Sequence, residues 1–151
     1  MKRALDEFHR QARGRPEPIL HDARDLASLG KRAQLAVTSP PYWSAQNYQR
    51  LHWLSFQVLG LDAPGAGEIG RRPRDYLDEM EKVIAQLTQV LSGCFVLVIG
   101  ESKDGIHEQV RDLCAAHGMK PKETFRRRLV NQALFVKAVR NEFIYVFEHR
   151  G

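Results

Sequence analysis

"LAVTSPPYWSAQNY", residues 35–48, closes an apolar run with two adjacent prolines and sets Tyr42 and Trp43 at the exit. The run "AQLAVTS", residues 33–39, reads as a β-strand, and Pro40-Pro41 stops it. A proline ring fixes φ and removes the backbone donor, so the chain leaves this strand through a stiff corner whose carbonyls can accept hydrogen bonds. In open α/β sheets, ligands bind beyond the carboxyl ends of the strands. Ser39 stands at that position. An exocyclic amine on a flat ring needs acceptors for two hydrogens, and the Ser39 hydroxyl and Pro40 carbonyl are suited to supply them. Tyr42 would stack on the ring, as extruded bases stack on aromatic side chains. Trp43 either lines the same pocket or anchors the loop.

Outward from this corner the pattern alternates. Upstream, "ILHD" (19–22) reads as a short strand and "ARDLASLG" (23–30) as a helical turn closed by Gly30. "GRPEP" (14–18) breaks regular structure, which sets residues 1–18 apart as an N-terminal arm and leaves 19–151 as one unit. Downstream, "NYQRLHWLSFQVLGL" (47–61) has helical spacing, and "DAPGAGEIGRRP" (62–73) is a turn-rich loop. A helix is predicted from Asp75 as N-cap, with Tyr76, Leu77, Met80, Val83, Ile84, Leu87 and Leu91 on one face. "CFVLVIG" (94–100) is the continuous apolar run of a central strand buried on both faces. "GIHEQVRDLCAAHGM" (105–119) follows as a helix capped by Gly118, and "ETFRRRLV" (123–130) and "NEFIYVFEH" (141–149) as two more strands. This order predicts an α/β sheet, mostly parallel, with a final antiparallel strand.

Composition sets the class. With 151 residues the chain fits one domain of the usual ~100–200. Its 43% hydrophobic and 27% charged content is that of a globular protein. No apolar stretch approaches the roughly 20 residues that span a bilayer, and "MKRALDEFHRQARGRPEP" lacks an apolar signal core, so a cytoplasmic protein is expected. Cys94 and Cys114 read as reduced thiols, and six scattered histidines without metal-ligand spacing predict no metal site. A net charge of +5 gives mild support for a nucleic-acid partner. The three arginines at 126–128 alternate across a strand and read as a solvated edge rather than one patch.

"TSPPYW", residues 38–43, resembles the catalytic motif of the DNA amino-methyltransferases, which transfer a methyl group from S-adenosylmethionine to an exocyclic base nitrogen. The S-P-P-Y form looks most like the N4-cytosine enzymes, D-P-P-Y being commoner among N6-adenine enzymes. The resemblance implies a partial Rossmann-like methyltransferase sheet, a catalytic set of Ser39, Pro40, Pro41 and Tyr42, and DNA as partner. By analogy it places Asp22 near the cofactor. Trp43 and a loop bearing Arg71, Arg72 and Arg74 would contact substrate, the arginines through phosphates. The family's glycine-rich cofactor turn has one nominal counterpart, "GAGEIG" (65–70), which neither follows a strand nor opens a helix. The chain therefore resembles the catalytic half of the family: a fragment, one subunit of a split enzyme completed by a second chain, or a binding homologue. The rival readings are a methyltransferase acting on RNA or protein amides, and a non-catalytic nucleic-acid-binding subunit.

Overall fold

Tyr76, Met80, Ile84 and Leu87 recur at three- and four-residue steps, and in the computed structural model they form the buried face of helix α1, Pro73–Val90. The structure describes residues 18–41, 58, 73–129 and 141–150. The arm before residue 18, the predicted helix over 47–61 apart from Val58, and most of the 62–73 loop lie outside the described residues. Helix α1 opens at Pro73, two residues before the expected cap. Proline is tolerated in a first turn, and Asp75 instead lies within that turn, where its charge meets the positive helix end.

Strand β1 is Ala33–Thr38, β2 Leu91–Gly100, β3 Lys120–Arg128 and β4 Asn141–His149; helix α2 is Ile106–Ala116. β2 and β3 each start three residues earlier than their sequence patterns suggest. At the end of α2 the cap is His117, and Gly118 follows it in the left-handed conformation (φ 81°), one residue beyond its expected place. The "ILHD" strand is not formed. Pro18–His21 has no regular structure, and Ile19 and Leu20 are exposed. A strand exists only where a neighbour takes its hydrogen bonds, and none of the described residues pairs with this segment. Ala23–Leu29 forms a short 3-10 helix closed by Gly30 at φ 62°, as expected.

The sheet order is β1-β2-β4-β3. β1 runs parallel to β2, with Thr38 opposite Leu97, while β4 is antiparallel to both β2 and β3. Three strands therefore share one direction and the last alone opposes them. That is the mostly parallel α/β sheet expected, with the reversed strand inserted between β2 and β3 rather than at an edge.

Register separates the faces. Ala36, Phe95 and Phe147 share one row, and Thr38, Leu97 and Tyr145 the next. Phe95, Leu97, Ile99, Tyr145 and Phe147 join the buried residues of α1 and α2 in a single core, so both helices cover this face. Burying an aromatic or branched side chain contributes roughly 1.5–3 kcal/mol, which makes this layer the main source of stability. β2 was expected to be covered on both sides. Among the described residues it is covered on one: Val96 and Val98, facing the other way, are only half-buried.

Candidate functional site

Because β1, β2 and β3 point the same way, their carboxyl ends emerge together, and the Ser39-Pro40-Pro41 corner lies at that end directly after Thr38. Pro40 is buried, whereas Ser39 and Pro41 are exposed. Tyr76, near the start of α1 and only 2% exposed, donates its hydroxyl hydrogen to the Pro41 carbonyl at 2.9 Å. A buried tyrosine needs a partner for its O–H, and this one ties the proline corner to the helix.

Beside the corner is a cavity of about 190 Å³. Ala23 and Thr38 to Pro41 form one wall, and Met80, Ile84, Phe95 and Leu97 contribute to the apolar remainder. It is smaller than the roughly 300–1,000 Å³ of drug-sized sites, so it suits part of a ring and not a whole nucleotide. Ser39 and Pro40 are among the residues that line it.

Asp22 lies next to this wall. Its carboxylate caps the 3-10 helix by accepting the Arg24 backbone N–H at 2.9 Å, and it also accepts from the Arg24 guanidinium. Those bonds hold its pKa down at about 2, so the group is ionised at neutral pH. Arg24 reaches on to Glu79 of α1 at 2.6 Å, where Lys82 also binds, and Gln86 accepts the Ala27 N–H at 3.0 Å. The segment that carries Asp22 and Ala23 is thereby pinned to α1. Lys82 first, then Arg24, holds the Glu79 carboxyl below its ordinary range.

Of the other expected site residues, Arg74 is exposed in the first turn of α1, two positions before Tyr76. Tyr42, Trp43, Arg71 and Arg72 lie outside the described residues, as does the 65–70 glycine loop. The basic strand is taken up by acids: Lys122 pairs with Glu148, Arg126 with Glu101, and Arg127 with Glu142. That is the solvated edge the alternation implied. Among the described residues no cluster of three or more His, Cys, Asp or Glu could hold a metal. His107 is stacked on Phe143 with its Nδ1 accepting the Ser102 N–H at 3.4 Å, and burial holds its pKa down. Both cysteines are free, and burial pushes the Cys114 thiol up to about 12, away from nucleophilic use. No helix among the described residues is long and apolar enough to cross a membrane.

Two contributors escaped the sequence. Tyr76 reads as one more apolar position on a helical face, and only its buried hydroxyl signals a task. Arg24 bonds Glu79 across 55 residues, and nothing local announces that pair.

No protein-family model matches the chain, and no curated protein matches it either. Solved structures do. A protein from Thermus thermophilus, provisionally named a DNA modification methylase, matches in its selenomethionine form with a TM-score of 0.52 at 21% identity, covering 86% of this chain and 51% of that one. Its complex with S-adenosyl-L-methionine matches with a TM-score of 0.51 at 21% identity, covering 86% and 54%. At that identity the likeness shows the fold. The two share an α/β fold over the matched part. The chain spans about half the length of the methylase structures it matches.

Proposed function

We propose that this chain supplies the base-binding and catalytic part of an enzyme that methylates an exocyclic amine of a DNA base, N4 of cytosine in preference to N6 of adenine. The cofactor would be S-adenosylmethionine, which brings an electrophilic methyl group when bound. The observation that carries this reading is the Ser39-Pro40-Pro41 corner: it sits at the carboxyl end of β1, is held by Tyr76, and opens on a cavity. The fold it shares with a DNA modification methylase supports the same reading.

The work of the corner is hydrogen-bond acceptance. In the free base the amine lone pair is delocalised into the ring. With its two hydrogens drawn to the Ser39 hydroxyl and the Pro40 carbonyl, the nitrogen moves toward tetrahedral geometry and exposes that pair. Bound S-adenosylmethionine would supply the methyl group to that nitrogen, and the Ser39 and Pro40 acceptors would lead one amine proton away to water. Fixed dipoles of this kind bind most strongly as the nitrogen gains positive charge, which is stabilisation of the transition state. Tyr42 would hold the ring flat, and Trp43, Arg71, Arg72 and Arg74 would hold the surrounding strand. Among the described residues no glycine-rich turn joins a strand to a helix. The rest of the cofactor site is proposed to come from outside the described residues, whether from the same polypeptide or from a second chain, with Asp22 on the near side.

The test is transfer of a tritiated methyl group from S-adenosylmethionine to unmethylated DNA, with the chain alone and with the products of the two flanking reading frames. Ser39→Ala and Tyr42→Ala should each abolish label while leaving the circular dichroism spectrum unchanged, and nucleoside analysis should find N4-methylcytosine. Label that survives both substitutions overturns the pocket. DNA binding without label supports the non-catalytic subunit, and label in RNA alone supports the RNA enzyme.

A further inference from the structure

His107 lies in the first turn of α2, is only 6% exposed, and stacks on Phe143 of β4 at 4.7 Å. Its Nδ1 meets the Ser102 backbone N–H at 3.4 Å. A backbone N–H can only donate, so Nδ1 must offer a lone pair and the ring proton belongs on Nε2. The bond therefore exists only with the neutral imidazole. Nearby charges oppose one another: Glu101 of the turn and Glu108 of α2 favour the imidazolium, while Arg111 of α2 and Arg126 of β3 disfavour it. β4 contributes the uncharged Phe143 ring. Burial is the largest influence and favours the neutral form.

Ser102 is the hub of the turn over residues 101–105, which follows β2. Its N–H goes to His107, its carbonyl accepts the Gly105 N–H at 3.3 Å, and its hydroxyl oxygen accepts the Ile106 N–H at 2.9 Å. Glu101 ties the start of the turn to the neighbouring strands. Its N–H donates to the Asn141 carbonyl at 2.9 Å, and its carboxylate accepts from the Asn141 amide and from Arg126. Among these contacts, the His107 bond alone involves a group whose ordinary pKa lies near neutrality.

The turn stands next to the proline corner. β1 and β2 are parallel neighbours with Thr38 opposite Leu97, and three residues beyond that pair come Pro41 and Gly100. On α2, Val110 and Cys114 share the buried face with His107 and line the cavity beside the corner.

We propose that His107 is a positioning residue: as an uncharged acceptor it latches the 101–105 turn beside the Ser39-Pro40 corner, and a proton taken up at Nδ1 releases that turn. The latch stands on its own geometry, whereas its effect on methyl transfer rests on the function proposed above.

The test follows backbone amide resonances of the isotope-labelled full chain by NMR from about pH 8 to about pH 5. The Ser102 and Gly105 amides should shift together with one midpoint below the ordinary histidine value of 6.5. In His107→Asn the side-chain oxygen can take the place of Nδ1 without titrating, so both amides should stay flat. Ser102 and Gly105 amides that do not move in the wild type, or that move equally in His107→Asn, overturn the latch. The wild-type titration alone decides this if the variant fails to fold. Methyl transfer to DNA should fall by roughly two- to tenfold as pH drops through the same midpoint, the range a single hydrogen bond supports, and His107→Asn should remove that step. Identical pH profiles in the two proteins overturn the positioning role. Titrating amides in a protein that transfers no methyl group keep the latch and sink the enzyme.

Discussion

Replacing Tyr76 by phenylalanine removes the hydroxyl that holds the proline corner. The ring stays in the core, where the residue is 2% exposed, and only the hydroxyl on the Pro41 carbonyl is lost. A neutral hydrogen bond contributes a net ~0.5–1.5 kcal/mol, and an acceptor left dry would add to that loss. Pro41 is exposed, so water can replace the lost donor and no dry-acceptor penalty is added, which leaves about 1 kcal/mol. For a chain of 151 residues that corresponds to a fall in melting temperature of roughly 2–4 °C. Tyr76→Ala also empties the ring site and should cost about 3–5 kcal/mol, several times as much. Thermal and urea unfolding of the two variants, followed by circular dichroism, would give the ratio, with an unchanged urea m-value showing that the same surface is exposed. If the corner's aim matters for chemistry, the phenylalanine variant should also lose methyl transfer well beyond its loss of stability. A phenylalanine variant that melts with the wild type and transfers methyl at the wild-type rate would refute the idea that this bond positions the corner.

Three further outcomes follow from the same packing. Gly93 lies where a Cβ would stand 2.2 Å from the Gln34 carbonyl oxygen, so Gly93→Ala should push β1 off β2 and lower stability by roughly 1–3 kcal/mol in urea titrations; a neutral effect would mean the two strands are not in this contact. Asp22 has its pKa lowered from 3.8 to about 2, so its contribution is complete above the higher value and disappears as pH falls through the lower one. The melting-temperature gap between wild type and Asp22→Asn should therefore close on acidification across that window, and a constant gap would contradict the Arg24 pairing. Cys114 is buried with its thiol pushed up to about 12, so a thiol reagent at mildly alkaline pH should modify the half-buried Cys94 first and reach Cys114 only on unfolding. Equal rates in the native protein would argue against this packing.

The sequence alone determined the alternation of strands and helices, the apolar face of α1 at Tyr76, Met80, Ile84 and Leu87, the reversed final strand, and the strand that ends in a serine-proline corner. Each is a local property, because side-chain period and proline stereochemistry act within a few residues. Tertiary structure decided the rest. Residues 19–22 have strand composition and no strand, because a β-bond needs a neighbour. β4 lies between β2 and β3 because it forms a ladder with each, a pairing that periodicity along one strand does not specify. The bonds from Tyr76 to Pro41 and from Arg24 to Glu79 join residues 35 and 55 apart, and only the packing of α1 against the corner brings those groups within reach.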